Sequence, residues 1–220
     1  MESYVCAAQE NALFTKYHEV FILKNSQDDK CRACKTETET TTHILAGCEA
    51  LAHKEYLERH NALAQYVHHC ICIHYGVPVP KWWQSHKPED VVMTDQVEIL
   101  WDQIVQTDRE CPCNRPDIVI KDKKKKEALI IDVACPADLN VSKKENEKSS
   151  KYNGLKVELA RLWEMDCKVI PIVVGALGTI SSSMCSLVEE VPGSPSHVAC
   201  QKITLVGSQK ILRSVLSRPK

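Results

Sequence analysis

A chain of 220 residues and 24.8 kDa has room for one medium domain or two small ones, and too little for a complete polymerase or motor. With 44% hydrophobic and 26% charged residues, 10 Pro and only 7 Gly, it has the composition of a folded protein and not of a disordered or fibrous one. The formal net charge of −1 excludes a generally basic nucleic-acid binder, yet it averages an acidic front half over a basic back half, so a polyanion would meet the back half.

No window reaches the roughly 18 apolar residues of a membrane span. Glu2, Glu10 and Lys16 stand where a secretory signal would be apolar, so we expect the 12 Cys in a reducing compartment, as core residues or metal ligands.

In chain order, the spacing predicts a helix over Ser3 to Leu23, closed by the polar cluster from Asn25 to Asp29. Tyr56, His60, Leu63, Val67, Cys70 and His74 recur at steps of three and four, which predicts an amphipathic helix ending at Gly76. Val77-Pro78-Val79-Pro80 then forces an extended connector and marks a domain boundary. The expected units are a helical lead-in over 1–27, a metal knuckle with its following helix over 28–76, and a second domain over 77–220.

Within that second domain, Pro88 to Leu100 reads as helical or mixed and Trp101–Thr107 as a first strand. Asp117–Ile120 and Ala128–Ala134, joined by the charged tip Lys121–Glu127, read as a hairpin. A helix over Lys143 to Asp166, a strand over Val169–Val174, breakers at Gly175 and Gly178, and a helical tail through Ile211, Leu212, Val215 and Leu216 complete an α/β or α+β order.

Cys31, Cys34, His43 and Cys48 fall in a C-x2-C-x8-H-x4-C pattern. Soft thiolates and an imidazole at short loop spacings are what a tetrahedral zinc ion requires, and four protein ligands leave no open position, so the site is structural. The intervening Lys35–Thr42 has almost no apolar content, and without zinc residues 28–50 should be loose. Cys70, Cys72, Cys111 and Cys113 lack a compact set of partners and read as incidental thiols, as His53, His68 and His69 read as incidental histidines.

Arg115-Pro116-Asp117-Ile118-Val119-Ile120 and Leu129-Ile130-Ile131-Asp132-Val133 each place one Asp in an apolar run, where a carboxylate is costly unless compensated. A hairpin centred between Lys124 and Lys125 sets Asp117 opposite Asp132, about 4.5–5.5 Å apart at Cβ. Like charges that close call for a cation, and oxygen ligands favour Mg²⁺. On the following helix, Lys148 and Tyr152 begin the stripe continued by Leu155, Leu159 and Leu162, with Lys151 beside it.

Taken in order, the knuckle, Arg59-His60-Asn61, Asn114-Arg115-Pro116-Asp117-Ile118-Val119, Ile130-Ile131-Asp132-Val133-Ala134-Cys135-Pro136 and Glu147-Lys148-Ser149-Ser150-Lys151-Tyr152 resemble the C-terminal region of non-LTR retrotransposon polyproteins. Ile170 to Gly178 and Gln201-Lys202-Ile203 to Leu212-Arg213 extend the similarity over nearly the whole chain. The resemblance implies a PD-(D/E)-x-K restriction-endonuclease-like core with an N-terminal helical zinc-knuckle module, nicking DNA for target-primed reverse transcription. It implies Asp117 and Asp132 as Mg²⁺ ligands, Lys148 or Lys151 as the catalytic lysine positioned by Tyr152, and Arg59, His60 and Arg115 as nucleic-acid contacts. In the wider superfamily the lysine lies two residues after the second acid, where this chain has Ala134. A further acid, Glu98 or Asp102, would complete the metal site.

The implied partners are DNA, element RNA and a reverse transcriptase domain in cis or trans, with no membrane. The implied place of action is the nucleus after cytoplasmic synthesis, without secretion. The alternatives are a catalytically inactive, zinc-stabilised nucleic-acid-binding remnant of a retroelement, and a zinc-stapled interaction protein unrelated to DNA.

Overall fold

A computed structural model describes residues 2–218. One five-stranded sheet runs in the spatial order β1 (Val91–Met93), β2 (Val97–Trp101), β3 (Ile118–Asp122), β4 (Glu127–Ala134) and β5 (Asp166–Val173). The first four strands are antiparallel neighbours, and β5 lies parallel to β4. A parallel pair needs a long crossover. Here it is made by helices α3 (Val141–Lys151) and α4 (Asn153–Trp163), which follow α1 (Glu2–Gln9) and α2 (Leu57–His74) and precede α5 (Ser182–Glu190) and α6 (His197–Leu216).

The sheet is covered on both faces, which is why β4 reads as an almost unbroken apolar run. Leu129, Ile131 and Val133 face a core shared with Leu63, Val67 and Ile71 of α2, Met184 and Val188 of α5 and Cys200 and Ile203 of α6. Ala128 and Ile130 face Tyr152, Leu155 and Leu159 on the other side. A separate cluster joins Cys31, Ile44, Leu45, Cys48 and Leu51 to Ala8 and to Ile211, Leu212 and Val215 of α6. The knuckle therefore rests on the C-terminal half of the last helix.

The β3–β4 hairpin has the expected register, with Ile118 opposite Ile131 and Asp122 opposite Glu127. Asp122 closes its tip by accepting from the backbone N–H groups of Lys124 and Lys125, and Lys126 takes the left-handed conformation at φ 58°.

Several expectations need correction. Residues 88–100 are not helical: Val91–Met93 and Val97–Trp101 form a hairpin whose turn is held by Thr94 Oγ1, accepting from Val97 N. Short apolar runs fit either period, and here the exposed edge of β3 gives the extended form a partner. Trp101 is the end of that strand and not the start of one over 101–107. The first helix stops at Gln9, where Asn11 turns left-handed at φ 54°, and a short π turn covers His18–Ile22. The helix expected over 143–166 is two helices, broken at Tyr152 (φ −100°, ψ 8°). Val77–Pro80 has no regular secondary structure, and one core joins α2 before it to the sheet after it.

Candidate functional site

The Cys31, Cys34, His43 and Cys48 ligand atoms all lie within 4.8 Å of one another. Zn–S bonds of about 2.3 Å and Zn–N bonds of about 2.0–2.1 Å in a tetrahedron require edges of about 3.8 Å between sulfurs and about 3.6 Å between sulfur and nitrogen. Cys31 Sγ to Cys48 Sγ is 4.0 Å and Cys34 Sγ to His43 Nε2 is 3.4 Å. The Cys3His cluster is thus suited to hold a metal ion such as zinc. Its electrostatics agree. At Cys34 burial works against the thiolate, but hydrogen bonds from Thr36, the Glu37 backbone and His43 outweigh it and hold the pKa at about 6. At Cys48, burial and then the neighbouring Cys31 push the thiol up to about 12. Three thiols this close can ionise together only around a cation.

Two anchors hold this loop. Tyr56 Oη accepts from Cys48 N and donates to Ile44 O, pinning the turn that carries His43 and Cys48. Glu39, fully buried, accepts from the backbone N–H groups of Lys16 and Arg32 and pairs with the Arg32 guanidinium at 2.9 Å. Arg32 also donates to Leu216 O at the end of α6. Removing one partner of a buried pair strands the other charge. Glu39→Ala should therefore destabilise the protein by about 3–5 kcal/mol, read as a lower midpoint in urea denaturation.

The second site lies where β3 and β4 end. Asp117 Oδ2 accepts from Val133 N at 2.6 Å and faces His60 Nε2 at 3.2 Å. Burial opposes ionisation of Asp117, but His60, the Val133 N–H and Lys148 together lower its pKa. Burial likewise disfavours the His60 imidazolium, and the Asp117 hydrogen bond and charge outweigh it and raise the pKa. Asp132, 2% exposed, forms an ion pair with Lys148 through Oδ2 and accepts from Tyr152 Oη at 2.6 Å through Oδ1. Lys151 Nζ stands 4.0 Å from the same Oδ1 and donates to Tyr152 Oη at 2.8 Å. The break between α3 and α4 falls at the residue that links these groups. Burial and the Asp132 charge push the Tyr152 phenol far up, so it stays a neutral donor. Tyr152→Phe leaves Asp132 short of a buried partner and should cost about 1–3 kcal/mol in equilibrium unfolding.

Asp117, Asp132, Lys148, Lys151, Tyr152 and His60 are thus brought together, while Arg59 and Arg115 are engaged by other partners. Arg59 is buried, with its guanidinium donating to Ser208 Oγ, Leu45 O and Cys135 O, so it clamps α2 to the knuckle, to α6 and to the end of β4 and is not free to meet a phosphate. Its place one residue before His60 gave no sign of this. Arg115 is exposed and spans the Asp102 carboxylate through Nε and an NH2 group, both at 2.9 Å. Asp102 is therefore occupied, and Glu98 is opposite Lys121 toward the hairpin's other end. Neither completes a third acid beside Asp117 and Asp132.

The pair does not by itself demand Mg²⁺, because Lys148 already pairs with Asp132, and His60 and the Val133 N–H bond to Asp117. Among the described residues, two clusters of three or more metal-ligating atoms fall within 4.8 Å, and neither contains Asp117 or Asp132. The second of them, His68, Cys72 and His86, includes two residues whose sequence context read as incidental. The i, i+4 spacing of His68 and Cys72 was the available signal.

The arrangement defines a mixed α/β protein with a Cys3His site fit for a metal ion and two neighbouring acids, a buried Asp132 paired with Lys148 and a half-buried Asp117 bonded to His60. Neither a scan against protein-family models nor a search of curated proteins gives a match.

Proposed function

We propose that the chain is a metal-dependent DNA endonuclease domain of the non-LTR retrotransposon type, with a PD-(D/E)-x-K core. One observation carries the reading: Asp117, just before β3, bonds to Val133 of β4 beside Asp132, and the crossover helix delivers Lys148 and Lys151 to Asp132. The order of an acid-bearing hairpin, crossover helices and a parallel fifth strand supports such a core. Beside it, a cleft of about 480 Å³ is lined by His60, Lys143, Lys144, Glu147 and Lys148; Lys144 pairs with Glu147 and Lys148 with Asp132, so a phosphate backbone entering it would meet Lys143 directly and compete with those carboxylates for the other two lysines.

The acids fit a divalent ion in one respect. Both bonds to Asp117 go to Oδ2, which leaves its Oδ1 for a cation, whereas Asp132 Oδ2 is paired with Lys148 and would have to exchange that partner for the ion. Mg²⁺ commonly uses one or two carboxylates, with phosphate and water completing its shell. Held by Asp117 and Asp132, it would polarise the scissile phosphate. The residues do the rest: the Lys148 ammonium orients the attacking water, Tyr152 fixes Asp132 and Lys151, and His60 steadies the backbone. In this reading the zinc module also sits beside nucleic acid, and the protein works in the nucleus with DNA, element RNA and a reverse transcriptase domain in cis or trans.

The second reading, nucleic-acid binding without cleavage, is favoured by the direct Lys148–Asp132 ion pair, which already satisfies the acid. Supercoiled plasmid incubated with the protein separates them. Nicked circles that form with Mg²⁺ and not with a chelator support the nuclease, whereas salt-sensitive binding with no nicked circles supports the second reading.

A further inference from the structure

We propose that His68, Cys72 and His86 form a second metal site, for a borderline-soft divalent ion of the zinc class, that fastens the segment after α2 to that helix. His68 and Cys72 lie one turn apart on α2 and therefore on one face. His86 is carried to them by residues 77–90, which contain only a single 3-10 turn, Trp83–Ser85, before β1. All three are buried, at 1%, 1% and 5% exposure, and their ligand atoms lie within 4.8 Å of one another. Two imidazoles and a thiol are a donor set for zinc and its neighbours, not for Mg²⁺ or Ca²⁺.

The distances are close to those of an occupied site. Cys72 Sγ to His68 Nδ1 is 3.5 Å, against about 3.6 Å for a tetrahedral sulfur–nitrogen edge. His68 Nδ1 to His86 Nε2 is 2.8 Å, a hydrogen bond, against about 3.3 Å for a nitrogen–nitrogen edge. Seating an ion opens that contact by about half an ångström, which the irregular segment bearing His86 can supply. The hydrogen shared between the rings moves to the other nitrogen of its own ring, and Cys72 releases its thiol proton as the sulfur binds. A cavity of about 230 Å³ adjoins the three ligands, and Glu89 lines it, leaving room for water or that carboxylate in the fourth position.

The rest of the segment packs Val77, Val79 and Trp83 on the core and adds single polar contacts. His69 Nε2 meets Pro80 O at 2.8 Å, and Gln65 Nε2 donates to Trp83 O at 3.1 Å and to His86 O. An ion joining Cys72 to His86 ties the same segment with coordinate bonds.

The test is metal uptake by the full-length chain, stripped of metal and titrated with Zn²⁺ and Co²⁺. Wild type should take up one equivalent more than Cys72→Ser or His86→Gln, both of which should keep the uptake that depends on Cys34. Equal uptake by wild type and both variants overturns the proposal. X-ray absorption of zinc-loaded wild type gives a reading that needs no variant. An average of two sulfurs per zinc is expected when both sites fill, and three sulfurs per zinc, from the Cys3His cluster alone, overturns it.

Discussion

Asp117→Asn and Asp132→Asn should each slow the nicking of supercoiled plasmid by at least about 10²–10³-fold, the scale on which removal of a charge-stabilising group is felt in a reaction centre. The two acids are not equivalent. Asp132 is held by Lys148 and Tyr152 and is almost fully buried, so its loss also strands Lys148; Asp117 is held by the Val133 N–H and by His60. Asp117→Asn should thus be the cleaner kinetic probe, with near-native unfolding and lost cleavage, while Asp132→Asn should lose both. Among the lysines, Lys148→Gln should cost more than Lys151→Gln, because Lys148 meets Asp132 directly and Lys151 reaches it through Tyr152. Plasmid conversion at fixed Mg²⁺, followed over time on agarose, measures all four. Equal nicking by wild type and the Asp117→Asn, Asp132→Asn double variant overturns the nuclease reading.

The hairpin was legible because its signal is local. A charged tip between two β-branched runs fixes the centre of the turn, and the pairing of Ile118 with Ile131 follows from that centre. The four knuckle residues were legible for the same reason, their spacing being short enough to close in one loop. Tyr152 and the two lysines were found through helical periodicity, although the helix they were assigned to is broken at Tyr152 itself. Steps of three and four persist across such a break when both pieces pack on one sheet, so the pattern does not report it.

What the sequence hid depends on contacts between distant segments. Arg59 looks like a surface cation on a helix, and only the approach of Ser208, Leu45 and Cys135 turns it inward. The Lys16–Arg32–Glu39 arrangement and the meeting of His86 with His68 likewise join residues with no common period. The strands β1 and β2 were misread because six apolar positions in a dozen fit either period, and the partner that decides between them is β3, some twenty residues on. Compensation of the acids stays open in the sequence for a related reason. Two neighbouring carboxylates call for a partner, but sequence alone does not say whether that partner is a metal or the protein's own Lys148 and His60.

Stripping metal from the Cys3His cluster, or replacing Cys34 by Ser, should lower the melting temperature by on the order of 10 °C, since structural zinc contributes folding free energy directly and about 1 kcal/mol shifts a chain of this size by about 2–4 °C. The effect should be spatially confined. Ile44, Leu45 and Leu51 pack against Ile211, Leu212 and Val215, so hydrogen exchange should rise over residues 28–50 and the end of α6 while β3, β4 and β5 remain protected. Glu39 and Arg32 are bonded independently of the metal and should retain part of the loop's order. Unchanged melting and exchange after chelation would show that the four residues are ordinary core. Arg59 then carries the loss further. Its guanidinium spans Leu45 O in the knuckle and Cys135 O just beyond β4, and the next residue, His60, holds Asp117. A loosened knuckle frees one end of that clamp, so chelating the zinc should also slow nicking when Mg²⁺ is restored, by less than loss of either acid. A chain that nicks at full rate with its knuckle unfolded would show that the two sites are energetically separate.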